Sequence, residues 1–488
     1  MAQKLKVLFV VSEAVPYAKT GGLADVAGTL PYALQELGAE VKVLMPYYGQ
    51  IRQKNIAVAA LAEDLEGRLG EAPLTFDLLA PAEEGSPFYF VARDEFFERS
   101  QLYGTPKGDY FDNLERFSFF SSAVLPVCRE LGFNPDIIHC HDWQASLVPV
   151  YLKYRWMYEA SFAKTKSLLT IHNLAYQGLF PKEKFPLLGL PWPLFSVNGL
   201  EYYDKINLLK GGIVFADAVN TVSRGYSKEI QTPEYGYGLE GVLRYRREVL
   251  FGIVNGVNYE DWNPETDQLI EATYGPNDLQ GKAKNKTALI KEYNLDKKLA
   301  KAPILGIISR LADQKGFDLV AKVLPKLMAQ NVMVVILGSG DEKYQELLTA
   351  EAKKYPGQLG VKIAFDNRLA HLIEAGSDMF LMPSRYEPCG LNQMYSMKYG
   401  TVPVVRATGG LVDTVTPVDK GQGAGTGFVF TEYSPEAFLE ALTQAIEAYG
   451  DKKLWKKIML NGMAQDFSWS ASAKAYQNLY ERLAAGEI

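Results

Sequence analysis

The 488-residue sequence has few cysteines, few histidines and no excess of positive charge. Its three cysteines are too few for a disulfide framework, so we expect a protein of the cytoplasm. Its 51 basic and 57 acidic residues give a net charge of −6, which argues against nucleic acid or an anionic membrane as the main partner. No run approaches the ~20 apolar residues that a membrane helix needs. The apolar run at 7–11 is too short for a signal peptide, and Ser12 and Glu13 end it.

Short runs rich in Val, Ile, Leu and Phe alternate with amphipathic stretches of helix length. This pattern predicts an α/β fold with buried parallel strands. In the first half the predicted strands are 6–11, 40–45, 88–92, 136–138, 166–171, 218–221 and 249–254. In the second half they are 304–308, 332–337, 361–364, 379–382, 403–405 and 427–430. The less regular, acidic segment 50–85 is interpreted as an insertion or an extension of the sheet.

Residues 258–284 contain prolines, glycines and several acids, and we interpret them as a linker with the boundary near Val257. The sequence thus predicts an N-terminal Rossmann-like domain at 1–257, a C-terminal one at 258–466, and a final segment at 467–488. The helix predicted at 470–485 would cross back onto the first domain. Two doubly wound sheets should leave a cleft between them, where such folds bind ligands.

The first predicted strand is followed by a glycine–glycine turn. Residues 19–25 read Lys-Thr-Gly-Gly-Leu-Ala-Asp and lead into a helix; a similar turn at 407–413 follows a strand of the second domain. Glycines at such turns let the backbone approach a phosphate or sugar, and the N–H groups of the next helix favour an anion. On this motif alone an ordinary glycine-rich turn is slightly favoured for Gly21 and Gly22, and their spacing matches neither G-x-G-x-x-G nor a P-loop.

Three of the four histidines follow predicted strand ends in the first domain. His139 and His141 come after the strand at 136–138, and His172 comes after the next one. We interpret His141 and His172 as sugar or phosphate contacts and His139 as structural. A zinc site is not favoured, because alternation along an extended chain points Cys140 away from its histidine neighbours and no further ligands stand at metal spacing.

The loop after the first strand of the second domain carries two cations, Arg310 and Lys315. An arginine can fork two phosphate oxygens and a lysine adds a point charge, a pairing that suits a diphosphate. Solvated surface charges are the ordinary alternative. The next strand end carries Gly-Ser-Gly-Asp at 338–341, another loop suited to close backbone approach, which favours the ligand interpretation.

The loop after the strand at 379–382 holds the densest set of candidates. Glu387 can accept hydrogen bonds from sugar hydroxyls. Gly390 is predicted to open a helix that runs to Tyr399, whose first N–H groups can hold an anion. Cys389 has no residue marked as its base, so we interpret it as structural or as a minor contact rather than a nucleophile.

Together these segments resemble the bacterial glycogen synthases and plant-type starch synthases, retaining glucosyltransferases that use ADP-glucose. The matching segments are KTGGLADV at 19–26, HCHDWQA at 139–145, HNLAYQG at 172–178, NTVSRGY at 220–226, NGVNYEDWNP at 255–264, SRLADQKG at 309–316, PSRYEPCGLNQ at 383–393 and ATGGLVDTV at 407–415. They run in order through nearly the whole chain, and together they are highly specific. Cys140 departs from the family, which often has alanine there.

The resemblance implies a GT-B fold, in which two Rossmann-like domains face a central cleft, and neither a metal ion nor pyridoxal phosphate. It implies roles for the following residues: Lys19, with Gly21, Gly22 and Asp25, for ADP-glucose; Arg310 and Lys315 for its phosphates; Glu387, with the backbone around Cys389, Gly390 and Leu391, for the glucose hydroxyls; His141 for the transferred glucose; and His172 and Asn173 for the acceptor side. Glu387, His141, Arg310 and Lys315 are the predicted catalytic residues.

The implied reaction moves glucose from ADP-glucose to O4 of the terminal glucose of an α-1,4-glucan such as glycogen. A double displacement needs a carboxylate nucleophile and an acid partner, and the sequence offers no obvious pair. Front-face attack is the more economical hypothesis, with the departing diphosphate taking the acceptor proton while Arg310 and Lys315 stabilise its charge. Domain closure would assemble this site, because the Lys19 loop lies on the other domain.

Four alternatives are weighed against this hypothesis. A related GT-B enzyme would use UDP-glucose or a small sugar phosphate, and a phosphorylase would need a pyridoxal phosphate lysine. A catalytically silent glucan-binding protein need not keep Lys19, Arg310, Lys315 and Glu387. A dinucleotide oxidoreductase would need the glycine fingerprint that is missing here. The sequence makes no prediction of oligomeric state.

Overall fold

The computed structural model describes residues 4–105, 107–419 and 421–488, and the chain divides into two compact units. The first unit contains residues up to Val222, residues 227–256 and the terminal residues 469–488. The second contains residues 223–226 and 257–468. None of the helices in the described ranges is long and apolar enough to cross a membrane.

The first unit is built on a nine-stranded sheet. The strands up to residue 256 are β1 (Lys6–Val10), β2 (Glu40–Pro46), β3 (Val58–Leu69), β4 (Ala72–Pro81), β5 (Phe88–Ala92), β6 (Gly104–Thr105), β7 (Gly108–Asp109), β8 (Ile137–His141), β9 (Lys166–Ile171), β10 (Leu179–Pro181), β11 (Glu201–Tyr202), β12 (Lys205–Asn207), β13 (Ala218–Thr221) and β14 (Leu250–Gly252). The helices over the same residues are α1 (Gly22–Glu36), α2 (Gly49–Gln53), α3 (Asp94–Phe97), α4 (Asn113–Ser122), α5 (Val124–Glu130), α6 (Asp142–Ala145), α7 (Leu147–Tyr154), α8 (Leu208–Phe215), α9 (Arg224–Glu229) and α10 (Glu240–Tyr245).

The strand order of this sheet is β14-β13-β9-β8-β1-β2-β5-β4-β3. The seven strands from β14 to β5 are parallel, while β4 pairs antiparallel with β5 and β3. The segment predicted as an insertion or a sheet extension is therefore an extension. The order reverses between β1 and β8, and ligands of doubly wound folds bind at such a switch point.

The second unit has a six-stranded, wholly parallel sheet in the order β17-β16-β15-β18-β19-β20. Its strands are β15 (Ile304–Ile308), β16 (Met333–Gly338), β17 (Leu359–Ile363), β18 (Met379–Met382), β19 (Val402–Arg406) and β20 (Phe428–Phe430). The remaining helices are α11 (Gln280–Glu292), α12 (Phe317–Met328), α13 (Glu342–Lys354), α14 (Asn367–Gly376), α15 (Asn392–Lys398), α16 (Gly409–Thr414), α17 (Pro435–Gly450), α18 (Lys452–Met463) and α19 (Trp469–Ala485). Counted from β15, the order is 3-2-1-4-5-6, the dinucleotide-fold arrangement with its switch point between β15 and β18.

The α/β prediction is confirmed, and most predicted strands lie within two residues of the observed ones. The prediction was wrong at β8, which runs through His141 instead of ending at 138. His139 and Cys140 therefore lie inside a buried strand rather than in a loop after it. The predicted helix from Gly390 to Tyr399 is also shorter, because Gly390 takes a left-handed φ of +72° and α15 begins only at Asn392.

The terminal helix α19 belongs to the first unit and packs against α1 and β8. Two of its tyrosines, Tyr476 and Tyr480, are fully buried. The Tyr476 hydroxyl accepts from Asn220 Nδ2 at 3.1 Å, and the Tyr480 hydroxyl lies 2.8 Å from His139 Nδ1. This helix thus supplies polar partners to the interior of the unit as well as apolar surface.

The predicted linker is anchored to the second unit by a buried acid. Asp267 Oδ2 accepts hydrogen bonds from His371 at 2.8 Å and from the Tyr399 hydroxyl at 2.6 Å. The indole of Trp262 stacks between His371 and Tyr395, with ring centroids 3.8 Å and 4.1 Å away. The fourth histidine therefore has a packing role.

Candidate active-site elements

In the second unit, two loops leave the carboxyl ends of the adjacent strands β15 and β18. They are 309–316 and 383–393, and they touch each other directly: Arg385 N donates to Gln314 O at 2.8 Å. The loops also approach closely at Gly316, where a Cβ atom would lie 2.0 Å from Pro383 O. The φ of +77° at Gly316 is a second reason for glycine there.

This contact brings two of the predicted site residues together. Lys315 Nζ donates to both carboxylate oxygens of Glu387, at 2.7 Å and 2.9 Å. Ser384 Oγ donates to the same carboxylate at 3.0 Å. Glu387 is 5% exposed, so its charge depends on these partners. An ammonium has three N–H donors, of which Glu387 takes two, and the third can reach a ligand oxygen.

Arg310 lies on the same loop with a different environment. Its side chain is exposed and donates to Gln314 Oε1 at 3.1 Å. Neighbouring Asn392 at the start of α15 donates to Ile308 O at 2.9 Å, which fixes the loop to the end of β15. A guanidinium held by one side-chain amide keeps donors for a phosphate.

Two segments distant in sequence support the loop that carries Glu387. Gly410 N donates to Glu387 O at 3.0 Å, and Ser223 Oγ donates to Pro388 O at 2.6 Å. A Cβ atom on Gly409 would lie 1.9 Å from Glu387 O. The glycine–glycine turn at 407–413 therefore serves close packing of backbone on backbone, an explanation that the sequence left open.

The three residues predicted to bind sugar through their backbone follow Glu387 in the chain. Cys389 is buried, whereas Gly390 and Leu391 are partly exposed. Gln393 Nε2 donates to the carbonyls of Cys389 and Gly390 at 3.1 Å and 3.0 Å. The carbonyl side of this turn is thus held by the Gln393 amide.

In the first unit, the glycine–glycine loop follows β1, the strand that neighbours β8 at the switch point. Lys19 Nζ donates to Asp25 Oδ1 at 2.6 Å, and both side chains are partly exposed. Gly21 and Gly22 stand at the start of α1. Among the residues that the structure describes, and apart from its chain neighbours and its own helix backbone, no atom lies within 4 Å of a Cβ built on Gly22, so open space faces this glycine.

Glu13 holds this loop, and the sequence analysis missed it. Its carboxylate accepts from the Thr20 hydroxyl at 2.8 Å and also from Thr20 N. The side chain is 3% exposed, and burial raises its pKa from 4.5 to about 7 despite the hydrogen bonds from Thr20 and Gly21. The signal was present, because Glu13 follows a buried strand at the switch point.

The histidines of the first unit form one row, of which His139 and His141 are buried. The His139 and His141 rings lie 4.0 Å apart on the same face of β8, as alternation predicted. His141 Nδ1 lies 2.9 Å from His172 Nε2. His141 is fully buried and His172 partly exposed, so His172 is the member of the row that reaches the surface. Burial lowers the pKa of all three, to about 3 for His172.

Asp142, in the HCHDWQA segment, has no role assigned from sequence, yet it holds the backbone of His172. It adopts a φ of +55°, and Oδ1 accepts from His172 N at 2.7 Å. Desolvation raises its pKa to about 7. Asn173, predicted to line the acceptor side, accepts a hydrogen bond from Ala175 N at its Oδ1, at 3.1 Å. This bond shapes the turn beside His172.

Within the described ranges, no group of three or more His, Cys, Asp or Glu side chains is placed to hold a metal ion. Cys140 is buried on the opposite face of β8 from the histidine row. The thiol pKa of Cys140 is raised by burial.

Comparison with known proteins identifies both halves of the chain. Residues 6–245 match the family described as starch synthase catalytic domain, and residues 290–459 match glycosyl transferases group 1. A glycogen synthase of Koribacter versatilis is 50% identical over 480 residues, covering 98% of both chains. One of Geotalea daltonii is 46% identical over 482 residues, covering 99% of both.

Solved structures agree with these relatives. The catalytic domain of starch synthase IV from Arabidopsis thaliana, bound to ADP and acarbose, superposes with a TM-score of 0.90 at 33% identity over 99% of this chain and 100% of that one. A sucrose-phosphate synthase from Thermosynechococcus elongatus matches with a TM-score of 0.60 at 17% identity over 99% of this chain and 100% of that one, a likeness of fold alone.

Proposed function

The chain belongs to the glycogen synthase and starch synthase family of glucosyltransferases, with the GT-B fold, and from that premise we propose that its donor is ADP-glucose. The acceptor is the non-reducing end of an α-1,4-glucan, and the anomeric configuration is retained. The observation that carries the proposal is the contact of Lys315 with Glu387 at the switch point of the second sheet. It joins a cation for a diphosphate to a carboxylate for sugar hydroxyls.

In the proposed reaction, Arg310 and Lys315 bind the diphosphate of the donor, and Glu387 accepts from hydroxyls of its glucose. The bond from the anomeric carbon to the diphosphate oxygen breaks as the acceptor O4 attacks from the same face. The leaving diphosphate takes the O4 proton, and the two cations stabilise its negative charge. Positioned cations of this kind act mostly in the transition state, so their loss lowers kcat more than it raises KM.

The first unit contributes Lys19 as a further donor for the nucleotide sugar, oriented by Asp25 at 2.6 Å. His172, His141 and Asn173 are proposed to contact the sugars. His141 is proposed for the transferred glucose and His172 for the acceptor side, a placement supported by the partial exposure of His172.

We propose that neither a metal ion nor pyridoxal phosphate takes part. Dialysis against EDTA should leave turnover unchanged, and a loss restored by a divalent cation would refute this. A cytoplasmic location is also proposed, supported by three buried free thiols. Fractionation of cells that express the chain tests it.

The decisive experiment measures transfer of radiolabelled glucose to glycogen from ADP-glucose and from UDP-glucose. We expect kcat/KM for ADP-glucose to exceed that for UDP-glucose by at least tenfold. A preference for UDP-glucose would make the chain a related enzyme with another donor. No transfer from either donor, with glucan binding retained, would identify a silent glucan-binding protein.

A further inference from the structure

We propose that the terminal helix α19 positions His172 for the reaction, with Tyr480 and His139 as positioning residues that act through His141. The inference rests on the proposed role of His172 at the sugar. None of the segments that matched known motifs contains Tyr480, which lies 341 residues from His139 in the chain.

Three successive contacts connect the helix to His172. The Tyr480 hydroxyl lies 2.8 Å from His139 Nδ1. The His139 ring packs on the His141 ring with centroids 4.0 Å apart and an interplanar angle of 37°. His141 Nδ1 then lies 2.9 Å from His172 Nε2.

The first contact leaves His139 little freedom. Its second ring nitrogen, Nε2, lies 2.6 Å from the Thr170 hydroxyl, so hydroxyl groups hold both edges of the ring. His139, Thr170 and Tyr480 are all fully buried. In such surroundings an unmade hydrogen bond carries the full desolvation cost of the polar group, so these bonds define a single ring orientation.

His141 depends on this arrangement because it lacks a second hydrogen bond. Its Nε2 is buried and, among the described residues, has no hydrogen-bond partner. The tilt of the ring is therefore set by packing between His139 and Phe9, whose ring lies 5.4 Å away at 22°. A shift of His139 changes the direction of His141 Nδ1 and with it the position of His172.

The experiment compares Tyr480→Phe with Tyr476→Phe. Both remove one hydroxyl from a fully buried tyrosine of α19 and keep its ring, which in Tyr476 packs 5.6 Å from the His139 ring. The Tyr476 hydroxyl accepts from Asn220 Nδ2, whereas the Tyr480 hydroxyl lies beside His139 Nδ1. Only four histidines occur, so imidazole ¹⁵N signals of the ¹⁵N-histidine-labelled protein can be assigned by single substitutions. These signals report the tautomer and hydrogen bonding of each ring without an activity assay.

We expect Tyr480→Phe to shift the signals of His139, His141 and His172 and to lower kcat about fivefold, the rate equivalent of one hydrogen bond, with KM for the donor nearly unchanged. Tyr476→Phe should leave the His172 signal in place, although both variants lower the melting temperature. An unchanged His172 signal in Tyr480→Phe, or an equal shift in both variants, overturns the proposal.

The role of His172 is tested separately with His172→Ala. Full activity of that variant would remove the proposed function of His172, whatever the spectra show. A large loss with His172→Ala, together with unchanged spectra in Tyr480→Phe, would retain the function of His172 and refute the positioning by α19.

Discussion

The two glycine–glycine turns, at 19–22 and 407–410, look alike in sequence, but glycine is present in each for a different physical reason. Each precedes or opens a helix at the end of a parallel strand. In the second turn, a methyl group on Gly409 would lie 1.9 Å from a backbone oxygen, and one on Gly410 would lie 2.1 Å from another. In the first turn, considering the described part of the chain, Gly22 faces open space and a Cβ on Gly21 would lie near Glu13 Oε1 alone, at 3.7 Å. The second pair serves packing, and the first leaves room for a ligand.

The glutamates beside the two turns differ in the same way. Glu387 is paired with a lysine at 2.7 Å. Glu13 accepts hydrogen bonds from the neutral donors of Thr20 and Gly21, and its pKa is raised to about 7 by burial. Burial disfavours the charged form of a carboxylate, and neutral donors offset that cost less than a cation in contact does. The comparison teaches that a cation in direct contact compensates the Glu387 carboxylate, whereas the Glu13 carboxylate depends on neutral donors and its pKa is raised by burial.

The largest effect is expected from Lys315→Ala, which removes the cation that distinguishes Glu387 from Glu13. Loss of a cation from the leaving diphosphate should lower kcat by about 100-fold or more. Steady-state kinetics with ADP-glucose measure it. Lys343→Ala is the matched control, since Lys343 pairs with Asp313 on the surface at 2.8 Å. A change below threefold in Lys315→Ala would contradict the assignment.

Gly409→Ala tests whether the second turn serves packing. The added methyl group meets a backbone oxygen and sits at a φ of +47°, so we expect a loss of about 2–4 kcal/mol in the free energy of unfolding. Denaturant titration measures it. Gly450→Ala, with nothing within 4 Å, should change stability by less than about 0.5 kcal/mol. Equal stabilities for the two variants would remove the distinction.

Gly22→Ala tests whether the first turn serves a ligand. The fold has room for the methyl group, so the melting temperature should stay within error of the parent. If the donor approaches this backbone closely, KM for ADP-glucose should rise about tenfold, or ~1.4 kcal/mol. Gly241→Ala, which also has open space, should leave KM unchanged. An unchanged KM in Gly22→Ala would make the first turn an ordinary one.

The smallest effect is expected from Glu13→Gln, measured as a pH profile of kcat/KM. The ionised carboxylate holds the loop, so kcat/KM of the parent should rise as pH increases through about 7. Between pH 6 and 8, the increase in kcat/KM should be about threefold smaller in the variant than in the parent. Asp142, whose pKa is also raised to about 7, still contributes to the pH profile of the variant. A superimposable profile would be the contrary result.

The same substitution has a stability counterpart with a defined sign. The folded pKa of about 7 exceeds the ordinary 4.5, so the contribution of Glu13 to stability is fully present below 4.5 and is lost as pH rises through 7. Glu13→Gln should therefore gain melting temperature relative to the parent at pH 8 but not at pH 4.5.

Much of the fold was predictable because local patterns specify it. The strands at 88–92, 166–171, 218–221, 304–308 and 379–382 were predicted with both ends correct. The failure at β8 has a physical cause: two histidines made the strand look like a loop. His139 is buried with hydroxyl partners from Thr170 and Tyr480, 31 and 341 residues away, and His141 is buried beside His172, 31 residues away. No local pattern contains those partners.

The sequence by itself determined the alternation of strands and helices, the loops that follow β15 and β18, and the motifs that identify the family. Those features depend on neighbours in the chain, through hydrophobic periodicity and turn chemistry. Only the tertiary structure decided which glycines pack against backbone, that Glu13 and Asp142 titrate near 7, and that Tyr480 reaches His139. Burial and hydrogen bonding depend on contacts between distant segments, and those contacts exist only in the folded chain.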